Sequence, residues 1–106
     1  MPSRATLAVM VALACSAAQA APTSPTSARQ KALENLVRQD CGSCHGMTLK
    51  GGLGPDIRGT RLRAFDPAAL EQIILNGVPG TAMPPWRPEL NERDVHWIVQ
   101  YLLETK

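Results

Sequence analysis

Apolar residues recur at helical spacing in three stretches of the chain, and no stretch alternates with the period of two that is typical of a strand. The first stretch predicts a helix from Ser27 to about Gln39, with Ser27 and Gln30 forming a capping box at its start. One face of this helix carries Ala32, Leu33, Leu36 and Val37. This face is predicted to pack against the core.

A second helix is predicted from its start and stop signals. Asp66 is a favourable cap, and Pro67 suits the first helical turn. Gly77 is typical of the residue that follows a helix end. The apolar stripe between these signals, which is predicted to face the core, consists of Leu70, Ile73 and Ile74.

The third helix is predicted to begin at Asn91, with Asp94 three residues later. Trp97 and Tyr101 lie four residues apart on this helix, and His96 lies on its polar side, facing solvent. The apolar side of the helix consists of Val95, Ile98 and Leu102. Three helices without a strand predict an all-α fold.

The segment 1–20 has the features of a cleaved signal peptide. Arg4 provides a positive charge, residues 5–14 form an apolar run, and the Ala-Gln-Ala triplet at 18–20 is a cleavage signal. The apolar run is too short to span a bilayer, and no later stretch is apolar enough to do so. We therefore expect export to the periplasm.

Cys15 leaves a second interpretation of the N-terminus open, because the residues before it loosely resemble a lipoprotein cleavage box. A lipid anchor at Cys15 is therefore the alternative to cleavage after the triplet at 18–20. Segment 21–26, rich in proline and hydroxyl residues, is predicted to be a flexible lead-in. Residues 27–106 are predicted to form one small domain.

The composition of this domain indicates that it needs more than a hydrophobic core. Cleavage leaves about 86 residues, with one Phe, one Tyr and two Trp. A chain of this size usually needs a disulfide, a metal or another covalent support. A disulfide between separate elements is not available, because Cys41 and Cys44 belong to one motif. A buried cofactor attached to the chain would meet the need.

Cys41-Gly-Ser-Cys44-His45 matches the C-x-x-C-H signature of c-type haem attachment. Two thiols on one helical turn can each bond a haem vinyl group, and the adjoining imidazole can then ligate the iron. Two alternatives remain open. C-x-x-C also occurs in thioredoxin-like redox sites and in zinc sites. No strand-helix-strand pattern accompanies the motif, and His96 is the only further ligand for zinc.

Two loops carry the remaining candidate residues. Residues 46–57 include four glycines and Pro55, so the backbone can lie close to a flat ligand. The Pro55 carbonyl could accept a hydrogen bond from the ring of His45, or Gly54 and Pro55 could simply form a turn. In the second loop, Met83 lies in a proline-rich segment between two helices. A methionine there suits a ligand better than a core side chain.

The chain resembles class I c-type cytochromes. The resemblance rests on the segments Cys41 to His45, 52–56, 76–80 and 81–84, together with the aromatic last helix. The segments 46–55 and 76–88 resemble the NirC type, also called cytochrome c-55X, which is associated with periplasmic haem-d nitrite reductase. The resemblance implies three to five short helices around one covalently bound haem c. It also implies that the first and last helices cross, with Trp97 or Tyr101 over the first.

The resemblance implies thioether bonds from Cys41 and Cys44 and axial iron ligands from His45 and Met83. Geometry also favours Met83 over Met47, the other methionine outside the signal peptide. Two residues extend at most about 7 Å, so Met47 cannot reach the haem face opposite His45. Met83 has ample chain to wrap around the ring.

The implied function is one-electron transfer without enzymatic activity, because both axial positions are filled. The implied partner is periplasmic nitrite reductase, which would receive electrons. Two alternatives remain: a role in maturing the haem of the reductase, and a sensor or enzyme that exchanges Met83 for a small ligand. We expect a monomer without affinity for nucleic acid, since no basic run is present.

Charge adds a weaker indication. The net charge of +2 falls to +1 once Arg4 is removed. Lys50, Arg58, Arg61 and Arg63 are close in sequence, with Asp56 as the only acid nearby. Arg61 is a candidate contact for a haem propionate, since guanidinium groups bind carboxylates well. The other cations form either a docking rim for an acidic partner or an ordinary solvated surface.

Overall fold

The computed structural model describes residues 24–106 and the isolated Pro2. The predicted signal peptide at 1–20, Cys15 and the start of the lead-in at 21–23 lie outside the described residues, apart from Pro2. The described residues form helices and loops without a strand, which confirms the all-α prediction. None of these helices has the length and apolar character needed to cross a membrane. The elements are α1 (Ser27–Leu36), a π-helical turn (Val37–Cys41), α2 (Gly42–His45), α3 (Gly59–Leu62), α4 (Pro67–Asn76) and α5 (Glu92–Glu104).

Helix α1 is capped one residue earlier than the sequence predicted. Thr26 has an extended backbone, and its hydroxyl accepts a hydrogen bond from the Arg29 amide at 3.2 Å. Ser27 is already helical, so the prediction that it caps the helix was wrong. The Gln30 side chain donates to the Pro25 carbonyl at 3.0 Å. Pro25 is buried, so the last two residues of segment 21–26 contact the start of α1.

The helical path does not stop near Gln39 but continues to His45. The π-helical turn follows α1 directly, and α2 follows the turn. Cys41 and Gly42 both have right-handed helical dihedral angles, which keeps the path continuous. A π-helical turn inside a helix often marks a functional site. Here it contains Cys41, the first residue of the C-x-x-C-H motif.

The predicted signals of the other two long helices are confirmed. The Asp66 carboxylate accepts from the Ala68 amide at 3.2 Å, and Pro67 opens α4. Gly77 ends α4 with a φ of 66°, a left-handed conformation that glycine adopts without strain. At α5, the Asn91 side chain accepts from the Asp94 amide at 2.8 Å, and Asp94 completes the capping box.

The core lies where α5 meets α1, α3 and α4. The predicted stripe of α4 was partly wrong, because Ile73 is 43% exposed whereas Leu75 is buried. Ala32 of α1 is also exposed. Both departures arise because helix packing selects the buried face, which sequence periodicity locates only approximately. The buried apolar residues are Leu33, Val37, Leu49, Leu62, Leu70, Leu75, Leu90, Val95, Ile98, Val99 and Leu102.

Polar contacts join α5 to the first helical segment, which consists of α1 and the π-helical turn. Arg29 donates to both carboxylate oxygens of buried Asp94, at 3.2 and 2.7 Å. This guanidinium holds the pKa of Asp94 below its usual range. Arg38 donates to the Tyr101 hydroxyl at 2.9 Å, and the Tyr101 ring stacks on Trp97 with centroids 5.2 Å apart. Tyr101 therefore contacts the first helical segment, and α1 and α5 pack together as the resemblance implied.

Candidate haem site

The C-x-x-C-H motif lies on one continuous helical path. Cys41 is the last residue of the π-helical turn, and Cys44 and His45 belong to α2. The two cysteines form no disulfide with each other, and all three side chains are half-buried. Because the three residues occupy little more than one turn, two sulfur atoms and one imidazole are presented together. This is the donor set that covalent attachment of a haem needs.

The pKa of the Cys41 thiol does not support the alternative that the motif is a redox dithiol. Burial and then the charge of Asp40 raise the pKa of this thiol to about 11. A disulfide exchanger needs the opposite, because its attacking sulfur is activated by a lowered pKa. The strand-helix-strand surroundings of a thioredoxin-like site are also missing from residues 24–106.

A zinc site is not supported either. Within the part of the chain that the structure describes, His, Cys, Asp and Glu side chains form no group of three that could hold a metal ion. His96, the one further ligand that the sequence offered, lies on α5 and pairs with Glu71 of α4 at 2.7 Å. His96 is exposed, in agreement with the prediction that it faces solvent.

The imidazole of His45 is held by the backbone of the following loop. Its Nδ1 lies 2.7 Å from the Pro55 carbonyl oxygen, and the ring N–H donates because a carbonyl can only accept. Nδ1 therefore carries a proton, and in the neutral imidazole Nε2 has the free lone pair that a metal ligand needs. Of the two interpretations left open for Pro55, the structure shows the carbonyl contact. In a histidine that ligates a metal, a hydrogen bond from the other ring nitrogen usually fixes the tautomer and the orientation of the ring.

Gly54 is required for this contact by its closeness to the ring. A Cβ at this position would lie 2.8 Å from both Cε1 and Nδ1 of His45. Atoms at that distance overlap, so any side chain would push the ring away from Pro55. The glycine thus allows the backbone to approach the imidazole.

The loop at 46–57, here called the histidine loop, folds back onto the end of α2. The Gly51 amide donates to the His45 carbonyl at 2.7 Å, and the Gly54 amide donates to the Cys44 carbonyl at 2.8 Å. These bonds satisfy carbonyls that a helix end otherwise leaves unpaired. Leu49 anchors the loop by being fully buried, in a left-handed conformation with φ of 62°. Sequence reasoning missed Leu49, because nothing in its identity signals that conformation.

The segment 77–86, here called the methionine loop, begins with a type II turn. The Thr81 amide donates to the Val78 carbonyl at 3.1 Å, with Pro79 and Gly80 at the central positions. Gly80 has φ of 78°, as the third position of this turn requires. The Val78 amide then donates to the Met83 carbonyl at 3.1 Å and closes the loop around the turn.

The methionine loop is also attached to the end of α4. The Trp86 amide donates to the Ile74 carbonyl at 3.1 Å, and the Arg87 amide donates to the Leu75 carbonyl at 3.2 Å. The Arg87 side chain adds a bond of 2.7 Å to the side chain of Asn76. Since both ends of the loop are held at α4, the position of Met83 is determined by the fold of the chain.

The described residues fit a covalently bound haem. They offer two thiols, an imidazole with a free Nε2 and a half-buried methionine on a separate closed loop. Exposed apolar side chains lie on either side of the end of α4, where Ile73 and Val78 are 43% and 38% exposed. Met47 is 62% exposed and follows His45 closely in the chain.

Two arginines of the predicted basic cluster, Arg58 and Arg63, already have hydrogen-bond partners within the protein. Arg58 donates to both oxygens of Asp56, with Nη2 to Oδ2 at 2.7 Å, and lowers the pKa of that carboxyl to about 2. Arg63 donates to the Leu103 carbonyl at 2.8 Å, which ties α3 to α5. Arg61 is 74% exposed with its Nε 3.8 Å from Asp56, and its contact with a propionate stays a prediction.

The family comparison supports a cytochrome. Residues 28–102 match the family described as cytochrome c oxidase, cbb3-type, subunit III. Cytochrome c55X of Paracoccus denitrificans is 55% identical over 80 residues, covering 76% of this chain and 78% of that protein. Cytochrome c55X of Pseudomonas aeruginosa is 43% identical over 98 residues, covering 92% of this chain and 82% of that protein.

Two solved structures are similar to the fold. The c-type cytochrome NirC has a TM-score of 0.74 and 45% identity, covering 76% of this chain and 94% of NirC. Dihydro-haem d1 dehydrogenase NirN has a TM-score of 0.63 and 34% identity, but this chain corresponds to only 16% of it. Covalently bound haem c is therefore the cofactor. The chain belongs to the family of c-type cytochromes, in the group that contains cytochrome c55X and NirC.

Proposed function

We propose that this protein is an exported one-electron carrier. Cys41 and Cys44 would hold the haem through thioethers, each formed by addition of the S–H group across a vinyl group. His45 would ligate the iron through Nε2, and Met83 would provide the second protein ligand. The haem would supply a one-electron couple. The observation that carries this assignment is the 2.7 Å bond from His45 to Pro55, which leaves Nε2 free on the same helical path as both thiols.

The chain around the haem holds its ligands in place and performs no chemistry on a substrate. Pro55 and Gly54 set the orientation of the imidazole. The methionine loop holds Met83 through backbone bonds at the end of α4. A carrier benefits from such rigid ligation, because its iron keeps the same ligands in both redox states. We infer that the protein is a carrier and not an enzyme or sensor.

Export follows from the N-terminus. The segment 1–20 acts as a cleaved signal peptide, and the mature chain works in the periplasm as a monomer. Mass spectrometry of the purified protein tests this directly. The expected mass is that of residues 21–106 with one haem attached. A mass that includes a lipid on Cys15 would favour the anchored alternative.

The role supported best is electron donation to haem-d nitrite reductase. It rests on the similarity to cytochrome c55X and NirC over most of this chain. Stopped-flow mixing of the reduced protein with the reductase and nitrite tests it. Reoxidation should be complete with both reagents present, and without nitrite it should stop once the reductase haems have been reduced. A reduced protein that stays reduced under these conditions would exclude donation.

A second role is supported by the similarity to dihydro-haem d1 dehydrogenase. That enzyme of Pseudomonas aeruginosa is 35% identical to this chain over 71 residues, which form 14% of its length. A dehydrogenase releases two electrons and two protons, so two molecules of a one-electron carrier could accept the electrons. The protein would then serve the maturation of the reductase haem.

The two roles differ in the direction of electron flow. The oxidised protein is mixed with the dehydrogenase and its dihydro-haem substrate, and its reduction is followed by absorbance. Reduction here, without oxidation by the reductase and nitrite, would assign the maturation role. Carbon monoxide separates both roles from a sensor, because a carrier whose iron keeps its methionine should not bind it.

A further inference from the structure

We propose that Thr81 is the positioning residue that fixes the main chain of Met83 for iron ligation. The proposal rests on the proposed function, since it assumes that Met83 is the axial ligand. The Thr81 hydroxyl accepts a hydrogen bond from the Met83 amide at 3.3 Å and donates one to the Val78 carbonyl at 2.7 Å. One hydroxyl thus joins the start of the methionine loop to the residue that carries the thioether.

Met83 is consequently held through both of its backbone polar groups. Its amide binds the hydroxyl of Thr81, and its carbonyl accepts from the Val78 amide at 3.1 Å. The backbone of Gly77 packs directly against the main chain of Met83. A Cβ at position 77 would lie only 2.7 Å from the Met83 carbonyl oxygen. The position of the Met83 Cα is therefore set by Thr81, Val78 and Gly77 without help from its side chain.

This constraint matters because the methionine side chain cannot position itself. It has three rotatable bonds, and its sulfur is only a weak hydrogen-bond acceptor. Each degree of freedom removed from the main chain therefore favours the ligated arrangement over the released one. Loss of the hydroxyl should allow Met83 to leave the iron more often, while the type II turn keeps its backbone bond from the Thr81 amide to Val78.

The test compares holoprotein variants at Thr81 with a matched control. Thr81→Val keeps the β-branched shape but removes both hydroxyl bonds, whereas Thr81→Ser keeps the hydroxyl. Thr60→Val makes the same exchange at an exposed position of α3. Exogenous imidazole competes with Met83 for the iron, and its affinity is measured by absorbance titration together with the sulfur-to-iron charge-transfer band. The denaturant midpoint is measured for each variant.

Thr81→Val should bind imidazole about fivefold more tightly, equivalent to about 1 kcal/mol at about 1.4 kcal/mol per tenfold. Thr81→Ser should restore the wild-type affinity, and Thr60→Val should leave it unchanged. A denaturant midpoint that falls in Thr81→Val with unchanged imidazole affinity would overturn the proposal and leave Thr81 a merely structural residue. Unchanged values in both measurements would overturn it as well.

A reference variant separates this proposal from the ligand assignment. Met83→Ala should abolish the charge-transfer band if Met83 is the ligand. If the band survives in Met83→Ala, the assignment of Met83 fails, and with it the proposed site. If Met83→Ala loses the band while Thr81→Val resembles wild type, only the role of Thr81 fails.

Discussion

The histidine loop and the methionine loop hold His45 and Met83, the two proposed iron ligands, in different ways. In the histidine loop the side chain itself is fixed, because the His45 ring donates to Pro55 and lies against Gly54. In the methionine loop the main chain is fixed, because both backbone groups of Met83 are bonded. The thioether, as a weak acceptor, cannot be held by a comparable hydrogen bond.

The difference indicates which of the two proposed ligands would leave the iron more easily. A ring with a bonded N–H keeps its orientation whether or not it binds iron, whereas a thioether on a fixed backbone can still rotate away. Disturbance of the histidine loop should therefore damage the whole site. Disturbance of the methionine loop should first change ligand exchange and reduction potential.

Of the changes that test this difference between the loops, removal of the Met83 thioether is expected to have the largest effect. Met83→Ala should abolish the sulfur-to-iron charge-transfer band and admit carbon monoxide. It should also lower the reduction potential by about 0.1 V, a fraction of the ≈ 0.8 V that axial ligands span. Spectroscopy and potentiometry measure these changes. Met47→Ala is the control and should leave all three unchanged, because Met47 is exposed and follows His45 too closely. The reverse outcome would contradict the ligand assignment.

A smaller effect is expected when a methyl group is added to each loop. Gly54→Ala should lower the free energy of unfolding by about 2 kcal/mol, because its Cβ would overlap the His45 ring. It should also perturb the absorbance of the histidine-ligated iron. Gly80→Ala meets no atom within 4 Å but must adopt a φ of 78°, which costs about 1 kcal/mol.

These values come from denaturant unfolding of the two holoproteins. Gly80→Ala should weaken ligation by Met83 and leave the histidine signals intact. Equal damage to the histidine signals in both variants would show that the two loops do not act separately.

Lowering the pH should affect the two loops differently. Residues 77–86 contain no ionisable side chain, whereas the histidine loop contains Asp56. Arg58 holds the pKa of Asp56 at about 2, below its unfolded value near 4. The folded state is thus stabilised above about pH 4, and this contribution is lost as the pH falls from about 4 to about 2. Arg58→Gln should lower stability at neutral pH and flatten this part of the profile.

The profile is the free energy of unfolding measured from pH 7 to pH 2 for both proteins. Arg61→Gln is the matched control, since Arg61 is exposed and 3.8 Å from Asp56. If Arg58→Gln and wild type lost stability in parallel, Asp56 would not be the source of the acid sensitivity. Asp94, whose pKa is also lowered, titrates in both proteins and cancels in the difference.

The smallest expected effect concerns docking at the edge of the histidine loop. Lys50 is exposed, whereas Arg58 is neutralised by Asp56. Lys50→Glu should slow bimolecular electron transfer to an acidic partner about threefold at low salt and leave it unchanged at high salt. Arg58→Glu should have its main effect on stability. A rate for Lys50→Glu that equals wild type at low salt would place the contact surface elsewhere.

Local sequence signals predicted the helix ends that depend on neighbouring residues. Each of these signals acts within one helical turn and can therefore be recognised from the sequence. They are Asp66 with Pro67, Gly77, and Asn91 with Asp94. Thr26 was missed as a cap because two adjacent hydroxyl residues can each cap a helix. The choice between them was made by the backbone of Thr26, which is extended.

Contacts between distant residues could not be predicted. The pairing of Arg29 with Asp94 and of Arg63 with the Leu103 carbonyl depends on how the helices pack. The same holds for the hydroxyl of Thr81, which has the appearance of an ordinary loop residue in the sequence. The candidate site was easier to predict, because Cys41, Cys44 and His45 form one short motif in the sequence. The contact of His45 with Pro55 remained one of two alternatives.

The pairing of Arg29 with Asp94 joins residues 65 positions apart, and the Gly59 amide likewise binds Thr105 near the other end of the domain. During synthesis, α1 and α3 must therefore wait for α5 before these contacts can form. Contacts of such long range form late, because the loop between them must close first. The helix that leads into the two cysteines consequently lacks its long-range partner until the last helix has been synthesised.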